Sequence, residues 1–311
     1  MPLAELMTES SSGNRTCTLR VGASIPQTEI GSDPGAIREF AQAVERMGFE
    51  HIVVYDHVLG ADPAVHVGSF LYTHKDAFHE PFVTMGFLAG ITARLRFATA
   101  VLVLAQRQAA LVAKQAAEVD VLSDGRLRLG VSVGWNAVEH QALGTDFATR
   151  GARIEEQVEV MRALWTRETV TYHGKFHTIE AAGISPRPVQ QPIPIWMGGE
   201  ADIVLKRIGR IADGWFPDMG APSEQHRRQL ATIRAAATAA GRPVSAVDVE
   251  PHINLTVDAA DTWRDSLLAW QELGARHFFI STMGGGLRTV EAHLRRLEEF
   301  CVVMPDAVRP Q

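Results

Sequence analysis

The chain has 311 residues, 46% hydrophobic and 21% charged, an ordinary globular mixture that buries a sizeable core without disulfide or metal staples. Its net charge is −6 and its 30 basic residues are scattered, so neither a nucleic-acid partner nor an anionic membrane is expected. No apolar run reaches the roughly 18 residues of a membrane span, the polar first fifteen residues lack a signal-peptide core, and Cys17 and Cys301 lack metal-ligand spacing, so a cytoplasmic protein is expected.

Residues 1–18 read as a disordered lead-in and 304–311 as a tail. Between them, short apolar runs alternate with amphipathic helices. The first strand is 19–25; Asp33 and Pro34 then read as N-cap and first helical residue. Ile37, Phe40, Ala41, Val44 and Met47 follow at helical spacing, and Gly48 stops the helix. The second strand, 52–55, leads into a long loop, 58–80, and a helix from Pro81. The third strand is 95–102, followed by a helix carrying Val112, Ala116, Val119 and Leu122. The fourth is 127–133, and its helix carries Ile154, Val158, Met161, Leu164 and Trp165.

Residues 169–191 break the rhythm and read as an inserted hairpin turning at His173-Gly174-Lys175. The fifth strand, 193–197, precedes a helix at 201–212. The sixth is 214–216, with a helix ending at Gly241. The seventh is 249–257, with a helix through Trp263, Leu267, Trp270 and Leu273. The eighth is 277–280, and the last helix carries Val290, Leu294, Leu297 and Cys301. Eight such units predict one α/β domain, a (β/α)8 TIM barrel over 19–303. An open doubly wound sheet is the alternative, but no G-x-G-x-x-G opens the first helix.

In a barrel, chemistry collects where strands end. Asp56-His57 follows the second strand, where a carboxylate beside an imidazole could position a ring or move a proton. It could equally cap the next turn. Gly134-Trp135-Asn136 follows the fourth strand. Its glycine allows close approach of a ligand and its amide suits an imide or polyol, or Asn136 simply caps a helix. Met197-Gly198-Gly199-Glu200 precedes the fifth helix and could cradle phosphate. Gly284-Gly285-Gly286, after the eighth strand, could do the same, and the residues alone leave the choice open.

His51 opens its strand and reads as structural. His66, His74 and His79 are expected to line or cover a pocket. His173 and His177 lack a third ligand, so no metal is expected. None of the four lysines (Lys75, Lys114, Lys175 and Lys206) ends a strand, which disfavours Schiff-base chemistry. Chemistry borrowed from an organic cofactor is favoured instead.

Several segments resemble the luciferase-like superfamily, in particular its coenzyme F420-dependent oxidoreductase branch. They are Leu122-Ser123-Asp124-Gly125-Arg126-Leu127-Arg128-Leu129-Gly130-Val131-Ser132-Val133-Gly134-Trp135-Asn136, Thr149-Arg150-Gly151-Ala152-Arg153, Pro192-Ile193-Pro194-Ile195-Trp196-Met197-Gly198-Gly199 and Ala212-Asp213-Gly214-Trp215-Phe216-Pro217. The resemblance is collinear from about Leu19 to Phe300. It implies a TIM barrel holding F420, or alternatively FMN, at its C-terminal face, with the 169–191 hairpin projecting there to help cover the site. Asp56 and His57 would face the ring, His57 exchanging a proton. Ala100–Val101 would be a non-prolyl cis peptide against the ring. Gly134 and Asn136 would meet the tail, and Met197, Gly198, Gly199 and Glu200 the phosphate.

Some related sugar-phosphate dehydrogenases carry a catalytic Glu where this chain has Trp135, so sugar-phosphate oxidation is not expected. The implied activity is hydride transfer between F420 and a small-molecule substrate. An FMN-dependent monooxygenase and a non-catalytic flavin-binding barrel are the alternatives. A homodimer is expected.

Overall fold

The computed structural model describes residues 19–66 and 71–304. The expected lead-in over 1–18 lies outside the described residues, as does the tail beyond Met304. In chain order the elements are β1 (Arg20–Ser24), α1 (Pro34–Met47), β2 (His51–Val54), α2 (Pro81–Ala89), β3 (Arg96–Thr99), β4 (Leu102–Val103), α3 (Ala109–Leu122), β5 (Leu127–Ser132), α4 (Ala137–Ala142) and α5 (Arg150–Thr166). They continue with β6 (Val170–His173), β7 (Thr178–Ala182), β8 (Ile195–Gly198), α6 (Asp202–Ile211), β9 (Gly214–Phe216), α7 (Glu224–Ala239), β10 (Asp248–Val249), β11 (His252–Asn254), α8 (Trp263–Glu272), β12 (His277–Ser281) and α9 (Val290–Val303).

The helix signals act where the sequence places them. The Asp33 side chain accepts from the Gly35 N–H at the start of α1, and Gly48 ends that helix at φ 90°. An αL residue costs glycine little, which is why it stops helices.

The parallel sheet runs β10-β9-β8-β5-β3-β2-β1-β12-β11. Its two ends are halves of one chain path, broken at Glu250-Pro251. The Glu250 N–H donates to the Trp215 carbonyl at 2.9 Å on one side, and the Phe279 N–H to the Pro251 carbonyl at 3.2 Å on the other. The sheet therefore meets itself and closes, as eight β/α units predict. Pro251 has no N–H to give a ladder, which is why the seventh strand splits into β10 and β11. The third strand splits into β3 and β4 at Ala100–Val101, whose peptide bond is cis.

Strand side chains alternate between two cores. The larger lies between sheet and helices and includes Val54, Val131, Ile195 and Met197. A second cluster, Val53, Ala98, Trp196, Phe216 and Phe279, fills the barrel interior. Below it, buried charges plug the end where strands begin. His51 meets Glu250 at 2.5 Å, and Arg128 meets the same carboxylate at 2.5 Å. Burial opposes the Glu250 charge, but Arg128 and His51 hold its pKa down to about 2. His51 is thus structural, as its position at the start of β2 predicts.

The hairpin β6–β7 is anchored at one end of the barrel and folds back along its flank, its turn reaching Arg153 and Glu156 in the first half of α5. It leaves the C-terminal end of α5 and returns to the start of β8, both at the opposite end of the barrel from the strand ends. Its turn lies along the flank of α5, where Glu156 accepts from the backbone N–H groups of Lys175, Phe176 and His177 at 2.7–2.9 Å. A segment joining a helix end to the next strand start is tied to the stability face, whatever its composition.

Candidate active site

The C-terminal mouth of the barrel is walled by small side chains. By strand alternation Ser24, Ala100, Ser132, Gly198 and Ser281 face inward, above a floor of Trp196, Phe216 and Phe279. Ala100, Ser132 and Gly198 stay partly exposed at this mouth, whereas Ser24 and Ser281 are buried beside the Tyr55 hydroxyl. Tyr55 also faces this interior; burial pushes its hydroxyl up to about 12, so it stays a neutral donor.

His57 stands on the rim of this mouth. Its Nδ1 lies 3.1 Å from Glu139 Oε2. Glu139 is 1% exposed, and its Oε1 accepts from the Val58 N–H at 2.7 Å and the Leu59 N–H at 3.4 Å. Burial opposes the Glu139 carboxylate, but His57 and these N–H groups outweigh it and hold its pKa below the usual range. An ionised carboxylate only accepts, so Nδ1 carries the hydrogen and Nε2 is left for other partners. The ring packs against Phe78 at 4.8 Å, Tyr72 at 5.3 Å and Trp135 at 5.6 Å between centroids. A cleft of ≈ 130 Å³ opens beside it, lined by His57, Leu59, Tyr72, His74, Phe78 and Asn136 among others.

Asp56 takes a different position. Its carboxylate is buried and accepts from the Val103 N–H at 2.9 Å and from Arg107 Nη2 at 2.6 Å and Nε at 3.3 Å. Arg107 also reaches Glu80 at 3.2 Å. Asp56 therefore ties the end of β2 to β4 and the loop before α3, and is not among the groups lining the cleft.

Asn136 spends both ends of its amide within the protein. Its Oδ1 caps α4 through the Val138 N–H, and its Nδ2 donates to the Leu59 carbonyl. The helix-capping reading is the one observed. Gly134 has φ 76°, and a Cβ there would meet Val103 Cγ1 at 2.5 Å, so this corner admits only glycine.

The two glycine segments are distinguishable. The Gly284 and Gly286 N–H groups donate to Glu29 Oε1 at 3.2 and 2.9 Å, so the eighth-strand nest already holds a carboxylate. After β8 the situation is open. No side chain caps α6, and Gly199 has φ 135°, with a Cβ meeting Val204 Cγ1 at 2.8 Å. A helix start without a side-chain cap suits an anion. Asp202 in the first turn pairs with Lys206 at 2.8 Å, and Glu200 is exposed. The Met197 side chain points the other way, into the core between sheet and helices; only its backbone faces the segment expected to bind.

Sequence reasoning missed Glu139, Arg107, Tyr72 and Phe78. Glu139 stands three residues after the N-cap Asn136, the position of a capping-box acid. That local pattern hides a partner 82 positions away. Among the described residues no group of three or more His, Cys, Asp or Glu is placed to hold a metal ion, and no helix is long and apolar enough to cross a membrane.

A family model described as luciferase-like monooxygenase matches residues 16–301. An uncharacterized protein of Mycobacterium tuberculosis is 33% identical over 270 residues, covering 84% of this chain and 91% of that protein. An F420-dependent glucose-6-phosphate dehydrogenase of Segniliparus rotundus is 31% identical over 239 residues, covering 74% of this chain and 67% of that enzyme. Among solved structures, an F420-dependent secondary alcohol dehydrogenase in complex with an F420-acetone adduct superposes with a TM-score of 0.71 at 17% identity, covering 94% of this chain and 100% of that one. Likeness at that identity speaks for the fold alone. The family match spans nearly the whole barrel, and the chain belongs to the luciferase-like monooxygenase family.

Proposed function

We propose that this chain is an F420-dependent oxidoreductase that transfers a hydride between the deazaflavin and a small organic substrate. The observation that carries the proposal is the rim pair His57–Glu139 at a barrel mouth bearing small side chains. The relatives named as F420-dependent dehydrogenases agree with it.

The residues fit a flat, phosphate-bearing cofactor. Gly199 and the start of α6, which no side chain caps, offer backbone N–H groups for a phosphate, while the small, partly exposed Ala100, Ser132 and Gly198 leave room for a ring. When bound, F420 supplies a two-electron hydride from its ring carbon. The chain supplies position and a proton. Glu139 fixes His57 through Nδ1, so that Nε2 gives or takes the proton accompanying hydride transfer. Tyr72, Phe78 and Trp135 surround His57 with apolar surface that excludes water from that exchange. Asp56 and Arg107 hold the backbone of β4 at the mouth.

Rapid mixing of the protein loaded with reduced F420 against a panel of ketones, aldehydes, enones and quinones tests the proposal. Oxidation of the cofactor, dependent on both protein and substrate, is expected. Tight cofactor binding with no turnover across the panel would instead favour a carrier.

A further inference from the structure

We infer that the cleft beside His57 takes an uncharged, flat, ring-bearing substrate, and rejects phosphorylated and carboxylated ones. This rests on the assignment of His57 to proton transfer.

The first argument is the wall. Tyr72 and Phe78 meet edge to face at 4.8 Å and 79°, and both pack on the His57 ring. Such an arrangement presents ring faces and edges in several orientations, which is how aromatic walls hold flat ligands. Leu59 at 38% and Trp135 at 42% exposure continue the apolar surface around the same histidine. A flat apolar body buried there removes water from both surfaces.

The second argument is charge. Among the described residues no Lys or Arg lines the cleft. Lys75 is the one Lys or Arg in the covering loop, 58–80, and it is exposed and outside the lining. Arg107 is committed to Asp56 and Glu80. The fixed charges that do face the region are acidic. Asp76 lines the cleft, accepting from the Thr73 N–H and hydroxyl, and Glu139 lies under His57. A phosphate brought here would lose water, gain no cation and meet two carboxylates. A neutral ring loses little.

His57, Tyr72 and His74 line the cleft with groups able to meet a carbonyl or hydroxyl, while the Asn136 amide is engaged within the protein at both ends.

The test uses acetophenone and 1-phenylethanol as ring probes and glucose 6-phosphate as the charged comparator. Saturation-transfer NMR is recorded on the full chain, with and without F420. The ring probes are expected to bind, with transfer strongest at their ring protons. Glucose 6-phosphate at tenfold excess is expected not to displace them. Phe78→Ala and Tyr72→Ala should each weaken probe binding several-fold while leaving the F420 affinity unchanged; that second reading also confirms that the variants fold. Displacement by glucose 6-phosphate, or probe binding indifferent to both substitutions, overturns the inference. If the probes bind through Tyr72 and Phe78 but F420 does not bind at all, the ligand class stands and the proposed function falls. If F420 binds and the probes do not, the reverse holds.

Discussion

Replacing Glu139 by Gln keeps the shape of a buried side chain and removes its charge. The carbonyl oxygen of Gln can still accept from the Val58 N–H, the shortest contact of the carboxylate at 2.7 Å. That choice turns the amide N–H₂ towards His57 Nδ1, which must then accept instead of donate. The histidine tautomer should therefore reverse, moving the hydrogen to Nε2. A hydrogen bond to a charged partner contributes about 1.5–3 kcal/mol, against about 0.5–1.5 kcal/mol for a neutral pair. The loss at the His57 contact is about 1–2 kcal/mol, roughly a five- to thirtyfold fall in turnover if the bond matters most in the transition state. Two measurements check this: turnover of the F420-loaded protein, and long-range proton–nitrogen NMR of the imidazole. A merely structural carboxylate would change stability and leave the tautomer alone. An unchanged tautomer together with turnover within about twofold of the parent would refute the reasoning.

His57→Ala should cut saturated turnover roughly a hundredfold or more with little change in cofactor affinity, because the proposed phosphate cradle is on β8 and α6; stopped-flow rates near those of the parent would leave the ring only a packing role. Gly199→Asp should bind F420 about ten- to hundredfold more weakly than Gly199→Ala, since both carry the same backbone strain and only one adds a carboxylate; equal affinities in a fluorescence titration would place the phosphate elsewhere. Acid should destabilise the fold. Burial holds His252 down to about 4, and burial with Arg128 nearby holds His277 down to about 3. Both stay neutral in the folded state while the unfolded chain protonates near pH 6.5, so the unfolded state binds more protons and stability falls as pH drops below that value. Glu250, with its pKa lowered to about 2, adds a further loss below about pH 4.5. Calorimetric melting from neutral to mildly acidic pH checks this, and a Tm that holds or rises towards acid would contradict it. His252→Phe should flatten the upper part of that slope.

The barrel was legible because its signals are local. Asp33 before Pro34, Gly48 after Met47 and the spacing from Ile37 to Val44 are set by nearest-neighbour backbone chemistry. The split of the seventh strand at Pro251 follows from one missing N–H. The anchoring of the hairpin follows from its attachment to a helix end and a strand start, while the packing of its turn on Glu156 carries no local signal. Within the site, His57 was visible by its place after β2. Its partner was not, since Glu139 looks like a capping acid until the fold brings it beside residue 57. Asp56 was visible for the same positional reason, but its engagement by Arg107 depends on a pairing 51 residues apart. That the eighth-strand glycines already hold a carboxylate turned on Glu29, a residue with no sequence signal linking it to Gly284 and Gly286.

The central claim is that this mouth holds a deazaflavin and works by hydride transfer. Equilibrium titration of the cofactor-free protein with F420 and, separately, with FMN tests it most directly. The structure-based account predicts saturable F420 binding, weakened by Gly199→Asp, and at least about tenfold weaker binding of FMN, a difference of about 1.4 kcal/mol. FMN binding tighter than F420, or F420 binding indifferent to the charge at position 199, would contradict it.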